Sequence, residues 1–473
     1  MKNYLRIFFP VMMIFSSYES QAQEPPTFSL SSSIWSPGVG TATDYQALGI
    51  NPANLGFGKL KPAFAFSVMD QRATLSSDAL SLGDLQKFVY SENNFTPAQQ
   101  QEYALNFLNK GLDMSATFSP VSLWFHIPKL GGFGLSWKEK IAAGFALNPF
   151  ASHLMFEGFH YQNYFDTFFV NTQGDTAAVI NPDSAQSIGT LFDGTKIQFS
   201  WTRELTFGYG TKIVSNDMFS LYAGLDLKLL YGFAMVDAQF SPESTYGYAS
   251  MMSLLIPEDF TSYHSPTQTL TPGIKPVGHG FGGDAGLTLT VAKGAIRLGA
   301  SVTDLGQMKW EGNVIQFSNQ KLDTIYFPGF STLSSNDIFL QMLEKNSPLA
   351  WTGSQEQIVN LPSAMHLGVG ARISRTFEAG FDLNAPLTDN PGAINKISYS
   401  ANLAVNMKVL VLSTGIAGRE DNPSFTVPVG LSIMLAPRGI VQMGIFTGDV
   451  LSFVTEQASH TLSAGLCTLR VQF

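Results

Sequence analysis

Between Phe219 and Tyr231 the chain alternates with a period of two. Phe219, Leu221, Ala223, Leu225, Leu227, Leu229 and Tyr231 fall on one face, and Ser220, Tyr222, Gly224, Asp226 and Lys228 on the other. Successive side chains of an extended strand point to opposite faces, so the pattern predicts a strand that separates an apolar medium from a polar one. The pattern returns in Met365, Leu367, Val369, Ala371 and Ile373 against His366, Gly368, Gly370 and Arg372. It returns in Ile397, Tyr399, Ala401, Leu403 and Val405 against Ser398, Ser400, Asn402 and Asn406. At the C-terminus Gly465, Cys467, Leu469, Val471 and Phe473 form one row, with Thr468, Arg470 and Gln472 opposite. The apolar rows are expected to face lipid, and Asp226, Lys228, His366 and Arg372 a wet or plugged lumen.

The connections predict how these strands are joined. Tight turns are expected at Lys129 to Gly132, Ser215 to Asp217, Ala292 to Gly294, Arg375 to Thr376, Met407 to Lys408 and Ala436 to Gly439. Gly, Asn, Asp and Pro, which tolerate turn geometry, dominate several of them. Between the hairpins lie long segments, roughly Leu75 to Leu112, Asn148 to Thr195, Gly232 to Gly282 and Leu305 to Ser363, then shorter ones after Ala385, Gly418 and Gly448. Short turns at one end and long loops at the other make an antiparallel transmembrane β-barrel of about fourteen strands, short side periplasmic, with both chain ends on that side. A soluble two-sheet protein or propeller shares the short strands. It would bury the apolar face against a second sheet and has no need of long loops at one end only.

Two loops predict helices. Thr96 as N-cap and Pro97 at the first helical position introduce Ala98 to Asn109, and Ser335, Asn336 and Asp337 offer caps for Ile338 to Lys345. These extracellular helices are expected to pack on one another.

Composition and the N-terminus set the compartment. Of 473 residues 45% are hydrophobic and 13% charged, against about 25% charged in ordinary soluble domains. Yet no apolar run beyond residue 22 is long enough for a spanning helix, and in lipid the other way to pair every backbone group is a closed barrel. Lys2 and Arg6, the apolar run Ile7 to Phe15 and Ser20-Gln21-Ala22 predict a signal peptide cleaved between Ala22 and Gln23. Its loss takes away Lys2, Arg6 and Glu19 and moves the formal charge from −9 to −10, a balance that argues against nucleic-acid binding. A lone cysteine, Cys467, permits no intrachain disulfide.

Ser36 to Gly58 is too rich in glycine and too poor in alternation for a strand. Its Asn51-Pro52-Ala53-Asn54-Leu55-Gly56 resembles the Asn-Pro-Ala motif near the mature N-terminus of the FadL long-chain fatty-acid transporter superfamily, which includes barrels of the Bacteroidetes type 9 secretion system. Ser301-Val302-Thr303-Asp304-Leu305-Gly306 with Trp310, and Leu361-Pro362 leading to His366, also look like features of that branch. The terminal strand Leu469, Val471, Phe473 resembles the signal that the barrel assembly machinery recognises. The resemblance implies a fourteen-stranded outer-membrane barrel whose N-terminal segment folds into the lumen as a hatch. The expected organisation is then 1–22 signal peptide, 23–60 hatch and 61–473 barrel.

No constellation points to an enzyme, a metal or a cofactor. His126, His153, His160, His264, His279, His366 and His460 are scattered without metal-ligand spacing. His153 and His160 lie among the aromatics of Phe150 to Phe169, where aromatic packing is expected. Gly278 to Gly283 lacks the Lys-Ser/Thr of a phosphate loop and leads into a strand, which predicts a flexible start or a kink near the rim. Trp124, Trp137, Trp201, Tyr209 and Tyr231 suit membrane interfaces, or equally cross-strand packing.

Two functions remain open. One is transport or binding of a hydrophobic or small amphipathic molecule in a hatch-gated lumen, with an apolar pocket lined by Leu48, Ile50, Leu55 and Phe57. The other is an accessory, shuttle or plug subunit of a type 9 secretion translocon. In either case the terminal row acts in assembly, so deleting Phe473 is expected to lower the amount of folded barrel in the membrane. Normal barrel levels with abolished activity would contradict that role.

Overall fold

Leu225, Leu227 and Leu229 are 63, 68 and 46% exposed, whereas Asp226 and Lys228 between them are each 1% exposed. The same division runs through Met365, Leu367 and Val369, exposed on the outside, and His366, buried on the inside. Each alternating run is a strand of one sheet with an apolar outer face and a polar inner one. In the computed structural model the described residues are 38–58, 63–77, 79, 95–161, 163–170, 176–242, 245–252, 274–317, 321–325, 351–374, 376–388, 396–407, 409–420, 422–435, 441–451 and 461–472. The expected signal peptide, the expected helix Ile338 to Lys345, the turn Ala436 to Gly439 and Phe473 lie outside them.

The wall opens with β1 (Ala63–Ser77), β2 (Lys110–Ile127), β3 (Gly131–Leu147), β4 (Lys196–Ser215), β5 (Phe219–Gln239), β6 (Gly278–Val291) and β7 (Ile296–Phe317). It continues with β8, built from Trp351–Asn360 and Ala364–Arg372, then β9 (Phe377–Pro386), β10 (Ser398–Asn406) and β11 (Leu410–Arg419). The last strands are β12, built from Asn422–Thr426 and Val429–Leu435, then β13 (Val441–Thr447) and β14 (Thr461–Gln472). Neighbours pair antiparallel throughout, and β14 returns to β1 in a register from Ala65↔Gln472 to Ser76↔Thr461. The sheet is therefore a closed barrel of fourteen strands with no open edge. Above the start of β6, the strand Thr245–Met251 keeps β5 and β7 paired.

The wall strands run further into the long segments than the sequence suggests. β5 continues to Gln239, β7 to Phe317, and Trp351–Asn360 is itself wall. At about 3.3 Å per residue and a tilt of about 40°, the 21 residues of β5 rise about 50 Å, roughly twice the ~25 Å apolar belt of such barrels. The top of that belt is marked on the outer face beyond Leu135 and Phe207. There Arg203 Nε donates to Glu139 at 2.5 Å, and the indoles of Trp137 and Trp201 donate to the same carboxylate at 2.9 and 3.0 Å. Amphipathic rings and a paired charge belong at headgroup level, where both media are within reach.

The barrel's upper end carries α1 (Pro97–Asn106), capped by Thr96 and Gln99, and α2 (Pro149–Glu157), capped by Asn148. They pack through Phe95, Tyr103, Phe107, Leu147 and Phe156. Helix α1 was expected; α2 was not, although Asn148-Pro149 carries the same cap-and-proline start. His153 bonds Glu157 and stacks on Tyr161 with ring centroids 4.5 Å apart. Glycines at Gly232 and Gly278 make room for the Trp310 ring.

The single apolar row expected for β14 does not hold. Cys467 is buried with Val411 and Met434, while Leu466 is exposed, and Arg470 points inward. Two inward residues three positions apart need one extra residue between them. The register against β13 slips there, between Gln442 and Gly444, and Met69 of β1 adopts φ 60 while its carbonyl accepts the Thr468 hydroxyl at 2.8 Å. This bulge moves Gly465 and Cys467 off the face of Leu469 and Val471.

The faces give a direct test. Leu227→Arg puts a cation on the lipid face and is expected to cost about 2–4 kcal/mol in reversible unfolding from bilayers, with Leu227→Phe close to wild type. Equal stability of the two variants would contradict the assignment.

Candidate lumenal site

Asn51 and Asn54 organise the segment at residues 38–58. Asn51 is extended (φ −151°, ψ 98°), its side chain accepts Ala53 N–H, and Pro52 follows at the first position of the short 3₁₀ turn Pro52–Gly56. Proline suits that position because its missing N–H would have no partner there. Asn54 Nδ2 donates to Val39 O at 2.9 Å and Ala42 O at 3.0 Å, drawing the preceding turn onto the motif. Thr288 of β6 joins the two amides: its hydroxyl accepts from Asn51 Nδ2 at 2.9 Å and donates to Asn54 Oδ1 at 2.7 Å. Both asparagines are 0% exposed. Buried amides satisfied on both sides in this way specify one conformation.

The inward faces of the wall hold the segment near the short-turn end. Asp382 of β9 accepts Val39 N–H at 2.8 Å and Gly38 N–H at 3.2 Å. Lys138 of β3 donates to Leu48 O at 3.1 Å, and Asp226 of β5 accepts Gly49 N–H at 3.1 Å. Ser301 of β7 donates to Ile50 O at 2.5 Å, and Trp124 of β2 donates its indole N–H to Leu55 O at 2.9 Å. Arg470 of β14 pairs with Asp44 through Nη2 and with Gln442 of β13 through Nη1, the latter at 2.8 Å, while the Tyr45 ring lies 5.8 Å from its guanidinium. Burial, reinforced by the Asp70 carboxylate, pushes the Tyr45 phenol well above its ordinary range. The wall is cut to fit: a Cβ on Gly224 would lie 2.3 Å from Pro52 O, and one on Gly210 2.4 Å from it.

Beside this segment the wall collects charges. Lys228 Nζ bonds Asp284 at 2.7 Å and Asp304 at 2.6 Å. Glu204 takes Lys140 Nζ at 2.5 Å and the Thr206 hydroxyl at 2.9 Å, with Lys138 Nζ at 4.0 Å. His366 Nε2 bonds the Thr303 hydroxyl at 2.8 Å. Arg297 at the mouth lies 3.8 Å from Glu378 and over the Phe57 ring. Among the described residues no group of three His, Cys, Asp or Glu is placed to hold a metal ion.

Of the residues singled out in the sequence, Asn51 to Gly56 are all buried. Asp226, Lys228 and His366 are buried on the inner face, and Arg372, half-buried, continues the row of His366. Leu48 packs with Tyr45, Leu55, Ala65 and Trp124, whereas Phe57 meets Tyr222 edge-on at 4.8 Å. Leu48 and Phe57 thus seat on different parts of the wall, with Ile50 half-buried between them in sequence. Sequence reasoning missed Lys138, Thr288, Asp382 and Arg470, which hold the segment, Asp44 within it, and Glu204 and Asp284 of the charge network beside it. Lys138 and Lys140 do alternate with Trp137 and Ile141, the one local signal that they face inward.

A protein-family model described as a family of unknown function (DUF5723) matches residues 72–409. No curated protein matches the chain. Similar solved structures include the Pseudomonas putida toluene transporter TodX, at 9% identity and TM-score 0.39, covering 96% of this chain and 98% of that one. Others are the Ralstonia pickettii toluene transporter TbuX (11%, TM-score 0.39, 95% and 98% covered) and a Pseudomonas aeruginosa FadL homologue (10%, TM-score 0.40, 96% and 97% covered).

The Asp44 and Arg470 side chains are each 1% exposed, so Asp44→Ala strands a buried cation. The expected cost is about 3–5 kcal/mol, most of it recovered in the double variant Asp44→Ala, Arg470→Met. Additive losses in the double variant would show that the two residues do not act as a pair.

Proposed function

Because the chain belongs to the family of unknown function DUF5723 and closes into a transmembrane barrel, we propose that it is a non-enzymatic, FadL-like outer-membrane protein that transports or binds a hydrophobic or small amphipathic molecule. In this reading residues 1–22 direct export, and the N-terminal segment is the hatch that closes the lumen at the periplasmic end. The observation that supports it is the bonding of residues 38–58 to the inner faces of β2, β3, β5, β6, β7, β9 and β14. A segment held by many separate bonds, about 0.5–1.5 kcal/mol net for the neutral ones and about 1.5–3 kcal/mol for those to charged side chains, seals a lumen and remains releasable in steps. The alternative reading is accessory service in a type 9 translocon.

Uptake by proteoliposomes tests the proposal. The full chain is expected to accumulate a labelled fatty acid faster than protein-free liposomes while excluding a polar solute of similar size, and a chain lacking Gln23 to Gly58 is expected to admit both. No uptake by the full chain, together with stoichiometric recovery of a large translocon subunit in a mild-detergent pull-down, would replace the transporter reading with the accessory one.

A further inference from the structure

Asp226 of β5 and Asp284 of β6 are direct cross-strand partners. Both point into the lumen, at 1 and 2% exposure, and direct cross-strand partners on one face carry their Cβ atoms about 4.5–5.5 Å apart. Asp226 uses Oδ2 to accept Gly49 N–H. Asp284 uses Oδ1 to accept from Lys228 Nζ and from Asp304 N–H, each at 2.7 Å. The two other oxygens, Asp226 Oδ1 and Asp284 Oδ2, are buried with no donor among the described residues. With both groups ionised, each of these buried oxygens would face an anion where it needs a donor.

The surrounding charges point the same way. Lys228 of β5 and Asp304 of β7 bond Asp284 directly, and the charges around them are Glu204 of β4 with Lys138 and Lys140 of β3, and His366 of β8 behind Thr303. Three lysines against Glu204, Asp304 and two ionised aspartates leave one negative charge in excess. A single proton on the pair makes the cluster neutral and supplies the missing donor. Buried charges persist when they are paired and bonded, and that proton completes the pairing of Asp226 with Asp284.

We propose that Asp226 and Asp284 bind one proton between them, and that this proton latches the N-terminal segment at Gly49. The proton comes from water and forms an O–H···O bridge between the carboxyls; no covalent bond within the chain is made or broken. When it leaves, the repulsion of two adjacent buried carboxylates outweighs the stronger bond an ionised Asp226 would accept from Gly49, and Asp226 turns away from Asp284 and from Gly49. Gly49 is the centre of the gripped stretch, between Leu48 O on Lys138 and Ile50 O on Ser301, and its φ of +77° suits glycine. The protonated pair is the docked form, so docking is favoured at low pH and weakens as pH rises through the titration of the pair. The latch stands whatever the lumen carries.

Infrared difference spectra of the full chain in lipid read the proton directly. A protonated-carboxyl C=O stretch is expected to disappear on raising the pH, to be absent from Asp226→Asn and from Asp284→Asn, and to remain in Glu139→Gln on the outer face. Docking is read separately in a Cys467→Ser background, as the rate at which a membrane-impermeant maleimide labels Ile50→Cys, divided by its rate with Met218→Cys on the exposed turn. That ratio is expected to rise several-fold with pH in the parent. It should stay low and flat with Asp226→Asn, whose amide can donate to Asp284 and still accept from Gly49. If Asp226→Asn gives no folded barrel, Asp284→Asn carries both readouts. A carboxyl band that survives both variants, or a labelling ratio that rises equally in parent and variant, overturns the proposal.

Discussion

The pairing of β14 with β1 is the contact on which the rest depends. In lipid an unpaired sheet edge leaves backbone groups with no partner, at several kcal/mol each, so the sheet either closes or does not exist there. Closure has a second effect. It turns the polar faces of fourteen strands toward one another, and what was a solvated surface becomes an interior. Lys138, Glu204, Lys228, Asp284 and Asp304, far apart in sequence, become one ion network because the barrel leaves them nowhere else to face.

The N-terminal segment completes that interior with the same currency of bonds. Its backbone N–H and carbonyl groups, which in a loop would meet water, meet Asp382, Asp226, Lys138, Ser301 and Trp124 instead. The close approach depends on wall glycines such as Gly224 and Gly210, where a side chain would occupy the place of the Pro52 carbonyl. Arg470 joins this segment to barrel closure. It sits inward on the last strand, next to the bulge that also turns Cys467 inward, and its charge is met by Asp44 of the N-terminal segment. The N-terminal segment and the last strand are thus neutralised together at the seam.

Much of the wall was legible in the sequence, because a period of two is a local property. The faces of β5, β8 and β10 follow directly from Leu225 to Leu229, Met365 to Val369 and Ile397 to Leu403. The reading failed in β14, where one bulged residue reverses every side chain beyond it and nothing in Thr468 or Leu469 announces the slip. Asn51 and Asn54 stood out as a motif, yet Thr288, Ser301 and Asp382, which give those residues and their neighbours partners, come from strands hundreds of positions away. Asp226 and Lys228 could be placed on the inner face from alternation alone. Their partners could not, since cross-strand register is set by turns and bulges and not by composition. The helix α2 was missed for a smaller reason: aromatic residues masked a start, Asn148-Pro149, that has the same physical logic as Thr96-Pro97.

The central claim is that residues 38–58 are part of the folded interior, held by the inner faces of the wall. Backbone hydrogen exchange of the full chain in bilayers measures this at single amides. The N–H groups of Val39, Gly49 and Ala53, which donate to Asp382, Asp226 and Asn51, should exchange on the slow timescale of the wall strands β5 and β6. Complete exchange of those three amides at the earliest time, with β5 and β6 still protected, would contradict the account.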